Sequence, residues 1–453
     1  MPDGMIVTRL FNVVKTGALG ARAKNSLILS AASFTRNVFG LVSIILIARY
    51  LEPGEFGRLM FAFALAGVFA PAAAMGIERL AVRQMVAEPE RTDRIAATAL
   101  LLRFFGAASG LVIAVSITAS GLIDDDAPPL LTAIACIALF QSAIDGLTGV
   151  LTAHEKFLHA AIPSILAAAA NLGFVVFLIA RPDQALALFA ATRIVDAVVF
   201  ILCILVAVRV AGIALPHLRP SRAVLAGFLR QGFPILLAAI AYTLFLRMDQ
   251  LMLAALTDET ELGVYSLSLR LAEALNFVPT VIALAFYPHL TRLYETARND
   301  YDIELHFLFD TMAVVSAGLI GVIWIIAIGV LVPLFGEDYA RSSGIAAILA
   351  LAIPFIALGV ARSTVFTISG HVWLPLAVWS GPVIVNLAMN LLLIPWLGAY
   401  GAAISTVFSL LVAHIGTSFL FPALRPHGPA MLRALNLFRS VPSVLRRLQL
   451  VGG

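Results

Sequence analysis

Twelve stretches of about twenty mostly apolar residues follow one another between Ser26 and Pro422, and no other feature restricts the fold so tightly. A helix of roughly that length crosses the hydrocarbon core of a bilayer. Because the core offers no water to backbone N–H and C=O groups, a spanning segment must be a helix or part of a closed barrel. A barrel would read as short alternating strands with polar lumen positions. The runs fall instead near 26–49, 56–77, 97–120, 128–151, 159–180, 185–209, 229–256, 262–289, 307–334, 341–369, 373–396 and 399–422. Hydrophobic residues make up 61% of the chain and charged residues 12%, with a mean hydropathy of +0.99. A soluble domain carries about twice that share of charge. The expected fold class is an all-α polytopic membrane protein of about twelve transmembrane helices.

The net charge of +4 does not point to nucleic acid, because the basic residues flank the apolar runs. That placement specifies membrane topology. Twenty Lys and Arg fall in loops or termini on one side, among them Arg9, Lys15, Arg79, Arg83, Arg219, Arg222, Arg433 and Arg439. The other side has four, Arg49, Arg58, Arg181 and Arg341, beside the acidic loops "DDDAPP" (Asp124 to Pro129) and "TDETE" (Thr257 to Glu261). Both termini are therefore expected in the cytoplasm of a cell whose plasma membrane the chain spans. No removable signal peptide is expected, since the first 24 residues hold no clean apolar run. The tail Met431 to Leu450 reads either as an amphipathic helix near anionic lipid or as a loosely ordered segment. Cys136 and Cys203 sit inside apolar runs and read as core residues.

A repeat divides the chain. "YLEPGEFG" (Tyr50 to Gly57) resembles "LTDETELG" (Leu256 to Gly263) at an offset of 206, and in each half a proline follows inside the next span, Pro71 and Pro279. "NLGFVVFLIARP" from Asn171 resembles "NLAMNLLLIPWL" from Asn386 at an offset of 215. A six-plus-six duplication follows. The expected units are a cytoplasmic N-terminal segment 1–25, a six-helix bundle 26–211, a linker 212–228, a second bundle 229–422 and a tail 423–453. Two like-oriented halves around a central cavity form a transporter architecture. Pro71, Pro163, Pro234, Pro279, Pro354, Pro375 and Pro382 are expected to bend helices, with or without motion.

Charges at bilayer depth are costly and are either paired or functional. Arg36, Arg103, Arg193, Arg247, Arg270 and Arg362 fall within the spans or near their ends, as do Asp145, Asp196, Asp249, Glu273 and Asp310. Arg193 with Asp196, and Arg270 with Glu273, are three residues apart and can pair along one helix. Arg103 and Asp310 are close enough to span ends to snorkel to water. Arg36, Arg247, Arg270 and Arg362 lie deeper and are candidate cavity cations. An arginine-lined cavity favours phosphate or pyrophosphate, which the planar guanidinium grips through two parallel bonds. Asp145, Asp249, Arg193, Asp196 and Glu273 are candidates for coupling or gating, with a proton or sodium gradient as the energy source. In "FLRMDQLMLAAL" Arg247 and Asp249 are two apart, so they point to different sides of one helix. No phosphate-cradling Gly-Lys loop, HExxH or CxxC is present. The triplet Asp124 to Asp126 reads as a solvated turn, its alternative being the acidic site of a membrane glycosyltransferase or polymerase.

The residues "VSIILIARYLEPGEFGRLMFAFALAGVFAPAAAMGIERLAVRQ" (Val42 to Gln84) resemble the first two spans of bacterial polysaccharide flippases, whose turn typically reads ARxLGPxxFG; here Glu52 replaces the usual Gly. The stretch Phe233 to Leu290, with its Asp-Gln-Leu-Met-Leu and later Gly-x-Tyr, is similar to that family's most recognisable segment. "LFGEDYARSSGIAAIL" (Leu334 to Leu349) and "PWLGAYGAAISTV" (Pro395 to Val407) also fit. The resemblance covers nearly all of residues 25 to 422. It implies two six-helix bundles of the kind shared by MATE exporters and the lipid II flippase, working by alternating access. It also implies a cargo of undecaprenyl-pyrophosphate-linked oligosaccharide for O-antigen, capsule or exopolysaccharide, with membrane lipids, a polysaccharide polymerase and a chain-length regulator as partners. The alternative within the same superfamily is an ion-coupled multidrug exporter.

Overall fold

The computed structural model describes residues 21–121, 129–181, 184–213, 219–369, 374–422 and 424–452. Asp124 to Asp126 lie outside them. Twelve helical segments among the described residues are long and apolar enough to cross a membrane. The first six are α1 (Ile28–Tyr50), α2 (Pro53–Ala87), α3 (Pro89–Ala119), α4 (Pro129–Ala153), α5 (Phe157–Ile179) and α6 (Leu186–Val210). The second six are α7 (Arg222–Leu256), α8 (Glu259–Thr296), α9 (Arg298–Gly329), α10 (Glu337–Val365), α11 (Val378–Leu397) and α12 (Ala399–Leu420). Two short helices follow, α13 (Gly428–Ala434) and α14 (Leu437–Gly452). Large side chains such as Ile325 and Trp396 stand exposed on the outer surface, as lipid-facing groups must. Both Cys136 and Cys203 are free thiols.

The duplication is visible in where helices break. Segment α2 breaks at Phe69, just before Pro71, and again at Met75 and Gly76, which both adopt positive φ. Segment α8 breaks between Glu273 and Phe277, just before Pro279. Segment α4 breaks at Asp145, and α10 breaks at Leu351, which lies 206 residues further on (351 less 145). Proline forces a break only where packing accepts one. Pro71, Pro279 and Pro354 adjoin breaks, while Pro163, Pro234 and Pro382 sit inside continuous helices.

The halves meet where α2 and α8 begin. A methyl group on Gly57 would overlap the carbonyl of Glu259, and one on Gly263 would overlap that of Pro53. Glycines at these two related positions let the backbones touch, as small residues do in membrane helix pairs. Acidic residues of the TDETE loop tie the same end shut. Asp258 caps α8 by accepting from the Glu261 amide at 2.8 Å. Glu259 pairs with Arg58 of α2 at 2.6 Å, while Glu261 pairs with Arg341 of α10 and accepts from the Ala399 amide of α12 at 2.8 Å. Two of the four arginines of the sparsely basic side, Arg58 and Arg341, thus pair with its acids.

At the opposite end the tail folds back. Ser440 of α14 donates to Asp310 of α9 at 3.1 Å, and Arg447 pairs with Glu304 and lies 4.5 Å from the Phe307 ring. Asp310 therefore does not snorkel to water as expected; it is buried beneath α14.

Replacing Gly263 with Val forces α2 and α8 apart at the closed end. Overpacking of this kind costs about 1–3 kcal/mol. The expected result is a lower melting temperature in detergent together with faster labelling of a cysteine introduced at Thr260; unchanged labelling would mean that this contact does not hold the end closed.

Candidate functional site

A cavity of about 1350 Å³ opens between the halves. Along α1 its lining stops at Ile44, short of Tyr50; along α8, α10 and α12 it starts at Leu269, Leu349 and Thr406, well past the first turns. Those omitted ends all belong to the acidic-loop side. The cavity therefore occupies the half of the molecule nearer the arginine-rich loops.

Four guanidiniums converge on it from four segments: Arg36 of α1, Arg193 of α6, Arg247 of α7 and Arg270 of α8. Arg36, Arg247 and Arg270 are near enough to repel Arg193, and Asp196 is near enough to attract it. Local structure explains how each is held. Phe63 and Gly67 lie one turn apart on one face of α2. Phe63 presents its ring 4.2 Å from the Arg193 guanidinium, a cation–π contact. Gly67 leaves the space over which the Arg247 side chain lies. Arg247 adds only a long contact of 3.4 Å to Gln250.

Arg270 and Glu273 occupy the last turn before the break in α8, where unsatisfied carbonyls favour a cation. They form the expected pair at 3.1 Å, yet Nε of Arg270 is buried without a partner. Arg193 and Asp196 do not pair: no ion pair forms between them within 4.0 Å, because Arg193 turns toward Phe63. Arg36 is exposed to the cavity and has no side-chain partner among the described residues. With Asp196 and Glu273 as the nearby acids, the cluster carries a surplus of positive charge.

Two other arginines differ from the expectation. Arg362 was expected as a cavity cation; it touches the wall but is only 1% exposed. Its guanidinium donates to the carbonyls of His414 (2.8 Å) and Ala413 (3.1 Å) and to the hydroxyls of Thr417 (2.9 Å) and Ser418 (2.7 Å). These groups belong to or adjoin a π-turn at Val412–Gly416, whose wider winding frees carbonyls that the bilayer cannot hydrate. Arg103 likewise does not snorkel. It is buried and donates at 2.6 Å to the Ser142 carbonyl beside the break in α4. Asp145, at that break, lines the cavity half-buried and accepts from Thr148 at 2.7 Å.

Asp249 turns away from Arg247, as their spacing requires. It is buried and accepts from the Tyr265 hydroxyl at 2.7 Å, from the Asn390 amide at 2.6 Å and from the Thr406 hydroxyl. Asn390 also donates to Asn386 at 3.1 Å, and Gln250 donates to Ser266 at 3.0 Å. The Asn390 side-chain oxygen is left without a partner. A carboxylate, two amide oxygens and a hydroxyl in one buried place suit a proton or a hard cation such as sodium. Tyr265, Thr406, Asn386 and Asn390 were not anticipated. Two asparagines four apart in an apolar span were the available signal.

A family model described as polysaccharide biosynthesis protein matches residues 22–294, more than half of the chain. The chain belongs to that family. No curated protein sequence matches it. Among solved structures, the chain is similar to an inward-facing multidrug resistance MATE family transporter of the MOP superfamily. The TM-score is 0.73 at 18% identity, covering 88% of this chain and 96% of that one. It is also similar to the lipid II flippase MurJ in an inward closed conformation, with a TM-score of 0.70 at 15% identity and 92% of each chain covered. Against an outward-facing MATE transporter of the same superfamily the TM-score falls to 0.56 at 16% identity, with 91% and 96% covered. The chain thus shares the two-bundle fold of these structures.

Arg362→Met strips four bonds from a buried helix break, and each buried acceptor left unpaired costs about 1–3 kcal/mol. Arg36→Met removes no described contact and is expected to change stability by less than about 0.5 kcal/mol. Unfolding of the two variants in detergent micelles checks the contrast; equal losses would overturn the division of the arginines into structural and cavity-facing.

Proposed function

We infer that this protein moves undecaprenyl-pyrophosphate-linked oligosaccharide from the inner to the outer leaflet of a bacterial plasma membrane. The observation that carries this reading is the convergence of Arg36, Arg193, Arg247 and Arg270 on one cavity with two acids, Asp196 and Glu273, beside them, while Asp145 and Asp249 of the same lining are held by other side chains. A pyrophosphate brings the missing negative charge and matches the guanidinium fork. In a site shielded from bulk water these bonds are stronger than at a surface. Family membership supports a role in polysaccharide synthesis; on this reading the product is O-antigen, capsule or exopolysaccharide. The arginine-rich loops lie in the cytoplasm on this reading, so the cavity receives cargo made there.

Release then requires the α2–α8 contact and its Arg58–Glu259 ion pair to part while the arginine-rich end closes. Helix breaks at Phe69, Asp145, Glu273 and Leu351 supply bending points in both halves. Asp249 is the coupling group: protonation, or entry of sodium among the oxygens of Asp249, Asn386, Asn390 and Thr406, changes the bonds that join α7 to α8, α11 and α12. The same cluster is the observation that favours a second reading, an ion-coupled multidrug exporter. The surplus of arginine in the cavity disfavours the cationic compounds such an exporter would carry. A polymerase and a chain-length regulator are the partners that the exported product would meet.

One charge-assisted hydrogen bond contributes about 1.5–3 kcal/mol. Arg193→Gln, Arg247→Gln and Arg270→Gln are therefore each expected to weaken pyrophosphate binding by roughly 10- to 100-fold. In a deletion strain they should leave lipid-linked oligosaccharide accumulated and drug sensitivity unchanged. Normal surface polysaccharide in all three strains would defeat the site assignment; altered drug sensitivity alone would favour the second reading. Asp249→Asn preserves shape and removes the charge. It is expected to keep cargo binding while abolishing the response of transport in proteoliposomes to an imposed proton or sodium gradient. A full response in that variant would exclude Asp249 as the coupling group.

A further inference from the structure

Beside the guanidiniums, the cavity carries an aromatic shelf that the charge argument leaves without a purpose. Tyr242 and Phe245 of α7, Trp379 of α11 and His414 of α12 all line it. The Trp379 ring is contacted on several sides. Its centroid is 4.8 Å from that of Tyr242, 5.2 Å from that of Phe245 and 5.3 Å from that of His414. The His414 imidazole is itself wedged against the backbone at Gly359, where a methyl group would overlap the ring. Phe245 is buried, so it serves as backing; Tyr242 is 42% exposed and Trp379 half-buried.

Rigid, edge-packed rings facing a cavity between the halves are not an interfacial belt, which sits at the headgroup level. They present flat apolar surface at little conformational cost. Tyr242 also lies within electrostatic reach of Arg247 and Glu273. The shelf therefore adjoins the cationic cluster, with a carboxylate nearby to accept hydrogen bonds. A cationic cluster beside an aromatic plane, with the Glu273 carboxylate next to both, matches a pyrophosphate that carries a sugar. A pyrophosphate takes the guanidiniums, the C–H face of the sugar ring attached to it lies on the aromatic plane, and the sugar hydroxyls find an acceptor. A prenyl chain would need apolar walls without the charges; a bare phosphate would need no shelf.

We propose that Tyr242 and Trp379 form a saccharide subsite that holds the first sugar ring attached to the pyrophosphate, with His414 and Phe245 positioning the Trp379 ring. The subsite rests on the pyrophosphate reading above, and it is the part of the cavity that distinguishes a glycosylated carrier from an empty one.

The test uses the full-length protein in detergent and two kinds of ligand: citronellyl pyrophosphate, and citronellyl pyrophosphate carrying glucose, galactose or N-acetylglucosamine. The unaltered protein is expected to bind at least one glycosylated ligand more tightly than the bare one. Trp379→Ala and Tyr242→Ala should each shrink that gain by roughly threefold to tenfold, the range for one aromatic contact. Trp379→Phe should retain most of the gain. Arg247→Gln should weaken bare and glycosylated ligands alike, which separates the two subsites. A gain that survives both alanine substitutions, in variants whose melting temperatures are unchanged, would overturn the subsite while leaving the pyrophosphate reading intact. Tighter binding of bare pyrophosphate than of all three glycosylated ligands would overturn it as well. Failure of the unaltered protein to bind any pyrophosphate ligand would overturn the pyrophosphate reading and the subsite with it. Binding of ethidium that depends on Trp379, with no effect of sugar, would reassign the shelf to cationic compounds.

Discussion

A broken helix inside a bilayer strands carbonyl and amide groups where no water can reach them. Much of this molecule follows from how those groups are satisfied. The breaks in α4, α8 and α10 and the π-turn of α12 all lie at or beside residues that line the cavity. Each break needs polar partners of its own. Arg103 serves the one in α4 and Arg362 the π-turn, both buried and both bonded to main-chain carbonyls. Arginine suits this work because its five donors reach several acceptors at once and its charge is not easily lost. The two carbonyl-capping arginines are therefore structural, and their presence lets the other four face the cavity.

The same chemistry, placed differently, organises the two ends. At the acidic-loop end, carboxylates meet arginines across α2, α8, α10 and α12, and two glycines allow backbone contact. At the other end the cavity stays open between the halves, and α14 is fastened to α9 rather than across the opening. Exposed pairs of this kind are individually weak. The Arg58–Glu259 pair joins the halves and is separable for that reason, while Glu261 ties α8, α10 and α12 of the second half to one another. The glycine contact is different, being set by shape, and it admits no larger residue while the end is closed.

The cavity itself combines two recognition surfaces that are legible to different degrees. Arg247 and Asp249 show why. Their separation by two residues makes them diverge: both border the cavity, but Arg247 has one long side-chain contact whereas Asp249 is buried and bonded to Tyr265, Asn390 and Thr406. Neither neighbourhood is local in sequence. Asp249 and Asn390 lie 141 residues apart, as do Tyr265 and Thr406. The spacing of Arg193 and Asp196 invited an intrahelical pair, but a ring 130 residues earlier in the chain, Phe63, takes the guanidinium instead. Arg36 and Arg362 read alike as deep arginines, yet one is exposed to the cavity and the other is fully committed to a π-turn.

Apolar runs of bilayer length, loop charge and the repeated glycine, proline and acidic positions determined by themselves that this chain is a bundle of twelve spanning helices in two related halves. They do so because solvation and backbone hydrogen bonding act segment by segment, within reach of a local pattern. The family resemblance carried by the same stretches was equally local. Which prolines break their helices, which arginines cap carbonyls and which face cargo, and where Asp249 finds its partners were decided only in the tertiary structure. Those outcomes depend on groups brought together across more than a hundred residues, in a solvent where an unpaired charge must find whichever partner the fold places beside it.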